Sequence, residues 1–226
     1  CFMNSALQAL SNTPSWRDYF LSGRYEEEIN VDNPLGYKGR LAREFGGLMK
    51  EIWSNRHSSV SPSTLKRAVS DANAMFAGYQ QHDSHELLSF LLDAIHEDLN
   101  RVKKKESTEA PEHDGSKDDN EVAREAWEIH LKRNRSVVVD HFQGQLRSEA
   151  TCLKCDRTSI KFDETMYLSV PLPMDDISNT KLMKTSAWTG VKERETAFVV
   201  PSIGSGAVVN SRHPLPLERV PRPGIW

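Results

Sequence analysis

Cys1-Phe2-Met3-Asn4-Ser5-Ala6-Leu7-Gln8-Ala9-Leu10 sets a thiol at the mouth of a helix. Asn4 and Ser5 are helix-starting residue types, and Ala6, Leu7, Ala9 and Leu10 recur at helical spacing. A cysteine just ahead of the first turn faces N–H groups with no intrahelical partner and the positive end of the helix dipole. Both stabilise the thiolate and can lower its pKa from ~8.5 by a unit or more. Alone the pattern is weak, because free cysteines are more often small core hydrophobes. The first residue is not methionine, so the expectation is a chain processed or cut from something longer.

Working outward, 226 residues can bury one good core or two small ones. A formal net charge of −3 with 27% charged residues is ordinary for a soluble protein. No basic excess argues for nucleic acid, and no apolar run is long enough to cross a bilayer. Three cysteines, two of them in a C-x-x-C, fit a reducing compartment better than a disulfide framework.

From Cys1 to about Asn100 the pattern is helical. Leu41, Phe45, Leu48, Met49, Ile52 and Trp53 share one helix face, and Ser61-Pro62-Ser63 starts a helix carrying Leu65, Val69 and Ala72. Asp83 to Asn100 is the most persuasive helix. Asp83 caps it with Glu86 three residues on, and Leu87, Leu91, Ala94 and Ile95 form its stripe. Residues 101–120 have almost nothing to bury and read as a charged, disordered insert. A helix from Glu121 to Asn134 follows, with Val122, Ala126, Trp127 and Ile129. The pattern then turns extended: 136–139, 145–150, 159–162 and 166–170 read as strands. Helices followed by strands imply an α+β protein. Residues 174–226, rich in Gly, Pro and Ser, read as a tail or insert of low structure.

Two more motifs carry chemistry. Tyr79-Gln80-Gln81-His82-Asp83-Ser84-His85-Glu86-Leu87-Leu88 crowds polar groups at the start of an otherwise apolar helix. Capping explains Asp83 and Glu86 but not Gln80, Gln81, His82 and His85. Cys152-Leu153-Lys154-Cys155 lies between two expected strands, and its spacing lets both thiolates bind one tetrahedral Zn²⁺. Only two of the four ligands are local, and no second C-x-x-C follows. His141 is a third ligand in principle, though a lone histidine beside a strand is more often structural.

These motifs, in this order, resemble the catalytic domain of ubiquitin-specific proteases, the papain-like cysteine deubiquitinases. The cysteine box of that family is matched from Cys1 to Leu10, with Asn12-Thr13-Pro14 and Arg17-Asp18-Tyr19-Phe20 continuing the likeness. The Gln-Gln-x-Asp-x-x-Glu box is matched by Gln80, Gln81, Asp83, Glu86 and Leu87, with His85 where the family usually has glutamine. His96-Glu97-Asp98-Leu99-Asn100, Ala126-Trp127-Glu128, Val138-Val139-Asp140, Phe142-Gln143-Gly144 and 167–173 look like the branch that bears DUSP and ubiquitin-like modules. The resemblance covers residues 1–173 as a partial catalytic domain and places nothing beyond about Lys184.

The resemblance implies a papain-like fold, here incomplete: a helical thumb plus the start of a palm and of β-rich fingers that grip ubiquitin. Cys1 would be the nucleophile attacking the carbonyl at the ubiquitin C-terminus. Gln81, Asp83 and Glu86 would bind ubiquitin, Asp83 by holding the backbone of its tail. Cys152 and Cys155 would be half of a structural zinc knuckle, with no catalytic cofactor. Partners would be ubiquitin and ubiquitinated proteins, with neither nucleic acid nor membrane, in cytoplasm or nucleus. The family's general base is a histidine in a Gly-His-Tyr-like context, oriented by an Asp or Asn, and none of the eight histidines here has that context. The oxyanion-hole asparagine that precedes the family's cysteine is also missing. The expectation is therefore a deubiquitinase by family whose chain, as given, is inactive by itself. One alternative is a catalytically inactive ubiquitin-binding scaffold. An N-terminal-nucleophile hydrolase is disfavoured by the helical context of Cys1, and a zinc-ribbon module leaves the first hundred residues unexplained.

Overall fold

The structure, a computed structural model, describes residues 1–108, 112–113, 116–156 and 158–168, with the backbone alone at Glu112 and in strands at 182–187, 194–199 and 224–225. The chain forms two compact units: residues 1–106, 132–142 and 220–226 in the first, 107–131 and 143–219 in the second.

The first unit is helical: α1 Phe2–Ser11, α2 Pro14–Leu21, α3 Tyr25–Glu28, α4 Arg40–Ile52, α5 Ser63–Ala72, α6 Ser84–Asp98 and, after the second unit's helix α7 (Asp119–Leu131), α8 Val137–Phe142. Its aromatic centre joins Trp16 and Phe20 of α2, Phe45 of α4 and Phe142 of α8, ring centroids 4.9–5.7 Å apart. The expected stripes of α4 and α6 are buried: Leu41, Phe45, Leu48, Met49 and Ile52 on one, Leu87, Leu91, Ala94 and Ile95 on the other. Gly46 on α4 admits the Tyr25 ring where a Cβ would sit 2.4 Å from Cζ. β1 (Ser59–Val60) runs parallel to β7 (Gly224–Ile225).

In the second unit, β3 (Gly144–Thr151) and β4 (Thr158–Thr165) form an antiparallel hairpin, with β2 (Glu112–His113) on the far side of β4. Val122, Ala123 and Ala126 of α7 and Ile160 and Phe162 of β4 make its core. The buried Gln145 donates to the Ala123 carbonyl at 3.1 Å.

Two expectations are corrected. Ser136-Val137-Val138-Val139 is not a strand: residues 137–142 form α8. Ser136 Oγ accepts from the Val138 and Val139 N–H groups, and all three valines are buried. A serine cap and burial outweigh the extended preference of a valine run. Residues 166–168 do not continue as a strand, since the pairing ends at Gly144↔Thr165 and Thr165 Oγ1 donates to the Tyr167 carbonyl; Ser169 and Val170 lie outside the described residues. Of the segment 101–120, expected as a charged insert, residues 109–111, 114 and 115 lie outside the described residues. Arg101 pairs with Glu28 and Asp140, Lys105 with Glu97, 112–113 form β2, and α7 starts at Asp119. Charge pairing supplies what apolar burial cannot. Within 174–226, the described backbone forms an antiparallel pair, β5 (Leu182–Ala187) with β6 (Arg194–Val199), together with β7; the remainder lies outside the described residues.

Candidate active site at the mouths of two helices

α1 and α6 bury apolar faces, Met3, Ala6, Leu7 and Leu10 on one and Leu87, Leu91 and Leu92 on the other. Their N-terminal ends thereby meet. Cys1 is the N-cap of α1, its carbonyl accepting from the Ser5 N–H at 3.0 Å. The exposed Cys1 Sγ donates to Gln81 Oε1 at 3.1 Å, a bond between residues eighty positions apart. The next side chain on each motif also touches the other: the Phe2 and His82 rings lie 5.3 Å apart, edge to face.

Asp83 is the N-cap of α6, and its Oδ1 accepts from the His85 N–H at 2.8 Å. The cap therefore closes on the second residue of the helix. Glu86 sits exposed in the first turn, favoured there by the helix dipole. Gln80, Gln81, Asp83, His85 and Glu86 are all exposed, and Tyr79 beside them is 102% accessible. The result is an open polar mouth: a thiol, a carboxamide within hydrogen-bond reach of it, and two carboxylates. Such a mouth can accept hydrogen bonds from the backbone of an extended peptide while the thiol attacks a carbonyl. Cys1 and Gln81 are thus in direct contact, with Asp83 and Glu86 in the cap and first turn of α6 that follow Gln81.

The residues whose structural task the motifs alone did not explain are His96 to Asn100. Asp98, fully buried at the end of α6, accepts four backbone N–H groups, from Tyr37, Gly39, Leu41 and Ala42 at 2.6–3.2 Å. Gly39 is the N-cap of α4 with φ +77°, and a Cβ there would lie 2.4 Å from Ile29 Cγ2. Having no side chain to cap with, it leaves that task to a carboxylate from another helix. His96 Nδ1 bonds Ser136 Oγ at 2.7 Å, Glu97 takes Asn33 and Lys105, and the Asn100 amide donates to the Arg133 carbonyl. The only sequence signal was a dense polar run closing an apolar helix. These residues hold the 30–42 and 133–136 segments against α6, and they do so without reaching the thiol.

Cys152 and Cys155 occupy the tip of the β3–β4 hairpin, both free and exposed. Asp156 takes the left-handed region at φ 55°, and its N–H donates to the Cys152 carbonyl at 2.9 Å. The Cys152 thiol is held below its ordinary range by the backbone N–H of Lys154, then by the Cys155 side chain and N–H. Amides aimed at sulfur favour the thiolate, the form in which a cysteine pair at this spacing could bind one metal ion. Among the described residues no group of three or more His, Cys, Asp or Glu could hold a metal. His141 is engaged in the first unit, its Nδ1 donating to the Val137 carbonyl at 2.9 Å.

Fold and site define a class: an α+β protein that presents a thiol at a helix mouth, the layout of papain-like cysteine hydrolases. The family model described as ubiquitin carboxyl-terminal hydrolase matches residues 1–210, and the chain belongs to that family. The match runs past Pro173, beyond the last motif legible in the sequence. Similar proteins include ubiquitin carboxyl-terminal hydrolase 15 of Homo sapiens (45% identical over 205 residues, 91% of this chain and 21% of that protein). Ubiquitin carboxyl-terminal hydrolase 4 of Bos taurus is 47% identical over the same shares. Ubiquitin carboxyl-terminal hydrolase 32 of Homo sapiens is 48% identical over 182 residues, 80% of this chain and 11% of that protein. The chain thus spans about a fifth or less of the length of these relatives. Among solved structures, the SAGA DUB module Ubp8/Sgf11/Sus1/Sgf73 bound to monoubiquitin aligns at TM-score 0.45 and 18% identity, covering 89% of this chain and 43% of that one. No helix among the described residues is long and apolar enough to cross a membrane.

Proposed function

We propose that this chain carries the nucleophile and part of the tail-binding cleft of a cysteine-type deubiquitinase. The observation that carries the reading is the 3.1 Å contact between Cys1 Sγ and Gln81 Oε1, which joins two motifs eighty residues apart at one exposed mouth. Cys1 Sγ attacks the carbonyl carbon of the C-terminal glycine of ubiquitin; the amide C–N bond breaks and the amine leaves with a proton. The resulting thioester is hydrolysed by water, which restores the thiol. The Gln81 carboxamide presents its oxygen to Sγ, and a turn about its last side-chain torsion would bring its N–H donors towards an oxyanion formed there. Asp83 and Glu86 accept from the N–H groups and basic side chains of the incoming tail.

No histidine of this chain has the sequence context of the family's base. The 226-residue chain alone should therefore turn over on the order of 10⁴-fold or more below a complete triad. Cys152 and Cys155 would supply two thiolates to one structural Zn²⁺, holding the hairpin tip. Ubiquitin and ubiquitinated proteins are the partners this reading implies, in a reducing compartment, cytoplasm or nucleus, where exposed thiols persist.

The test is labelling by a ubiquitin probe with a C-terminal electrophile, read beside the bare warhead. Ubiquitin-dependent labelling that is lost in Cys1→Ala and cut at least tenfold in Asp83→Ala supports the reading. Equal labelling by probe and bare warhead overturns it for this chain.

A further inference from the structure

We propose that His82 is a positioning residue for Cys1: its imidazole, in edge-to-face contact with both Phe2 and Phe76, sets where Gln81 meets the thiol. The proposal rests on the reading of Cys1 as nucleophile and concerns how its neighbour is held.

The segment that delivers Gln81 is fixed at both ends and loose between. At one end Phe76 is fully buried, and its carbonyl accepts from Lys66 Nζ and from Ser70 Oγ (3.1 Å) of α5. Its ring also lies 5.5 Å from Phe90 of α6. At the other end Asp83 caps α6. Between them Ala77, Gly78, Tyr79, Gln80 and Gln81 are exposed, and Gly78 takes φ +75°. Of residues 77–82 only His82 is not exposed. It is therefore the one partly buried side chain of this stretch, and it anchors the stretch beside the exposed Cys1–Gln81 bond.

Its contacts run in the needed direction. The ring meets Phe76 at 5.4 Å and 72° and Phe2 at 5.3 Å and 72°. Both are the edge-to-face arrangement that aromatic rings prefer. Phe2 adjoins Cys1 and Gln81 adjoins His82, so the Phe2–His82 contact and the Cys1–Gln81 bond are successive rungs between the same two strands of chain. Nε2 is enclosed and makes no hydrogen bond among the described residues. The ring therefore acts here through its aromatic faces and edges.

The test is the rate at which iodoacetamide alkylates Cys1, separated from Cys152 and Cys155 by peptide mass, in the 226-residue chain at one pH. Removing the acceptor in Gln81→Ala should free the thiol to ionise and raise the rate roughly three- to tenfold, the worth of about one net hydrogen bond. His82→Ala should raise it by the same factor, and the double variant by no more than either, because both changes break one contact. His82→Phe keeps the ring packing and should stay within about twofold of the unaltered chain. The proposal is overturned if His82→Ala reacts at the unaltered rate, if the two factors multiply, or if His82→Phe behaves as His82→Ala. Probe labelling is scored separately: an unaltered chain that refuses the ubiquitin probe counts against the proposed function and leaves this comparison standing.

Discussion

Cys1 rests on the ends of two helices closed from behind by Leu7, Leu10, Leu87 and Leu91, whereas Cys152 and Cys155 sit at the tip of a hairpin whose β3 residues, Arg147 to Thr151, are exposed throughout. Leu153, between the two cysteines, is 98% accessible. The first site is placed by a core that forms without any ligand. The second has a well-shaped turn and almost nothing beneath it. A nucleophile needs its geometry before substrate arrives, so it belongs on buried elements. A structural metal site gains its rigidity from the metal and can hang on a poorly buried tip.

The largest effect that would break this contrast comes from Asp98. If the helical unit is preorganised by buried polar knots, Asp98→Ala strands four backbone N–H groups and should cost about 3–5 kcal/mol. Asp98→Asn should also destabilise, because its amide sets N–H donors against N–H donors. Chemical denaturation followed by the fluorescence of Trp16 and Trp53, both in this unit, reads the loss. A change under about 1 kcal/mol would mean the segment 37–42 is held by other contacts.

On the other side, Cys152→Ser and Cys155→Ser should leave metal-free stability within about 0.5 kcal/mol, since both positions are exposed. Added Zn²⁺ should protect both thiols from alkylation in the unaltered chain, and either substitution should abolish that protection. Stability that falls on serine substitution without zinc would remove the contrast, for the tip would then contribute to the fold by itself.

A smaller effect tests the helix that the sequence concealed. Ser136→Ala removes the acceptor for the Val138 and Val139 N–H groups and the partner of His96, and should cost about 1–2 kcal/mol. Ser136→Asp, which keeps a capping oxygen, should recover part of that loss in the same denaturation experiment.

That helix shows where sequence reading stops. α1, α4 and α6 were legible because each carries an apolar stripe at helical spacing and, for α6, a cap at Asp83. Val137-Val138-Val139 has strand-forming residues and no stripe, and the Ser136 cap was indistinguishable from any serine beside a valine run. The contact of Cys1 with Gln81 joins two motifs eighty residues apart, and no local pattern in either one displays it. The four N–H groups on Asp98 were invisible because their donors lie about sixty residues away, in the loop before α4 and in its first turn, whose own sequence gives no hint of a buried anion. Long-range satisfaction of backbone groups is a property of packing, and only the fold displays it.

The smallest predicted effect is pH-dependent and lies at the rim of the same polar knot. Glu97 is partly buried, which by itself would raise its carboxyl pKa. Hydrogen bonds from Lys105 and Asn33, with the Lys105 charge, outweigh burial and hold it below its ordinary 4.5. A depressed folded-state pKa means the contribution is present above about pH 4.5 and fades as pH falls through the lower folded value. Lys105→Met should therefore cost a few tenths to about 1 kcal/mol at pH 7, the range for a partly exposed pair. The difference from the unaltered chain should shrink towards zero as pH drops below 4, where Glu97 is increasingly neutral in both. Urea denaturation at pH 7, 5 and 3.5 reads the sign directly. A cost that stays constant across those three values would show that Lys105 acts through the packing of its methylene stem. The rim of the knot would then resemble the hairpin tip, where exposed charge does little for the fold.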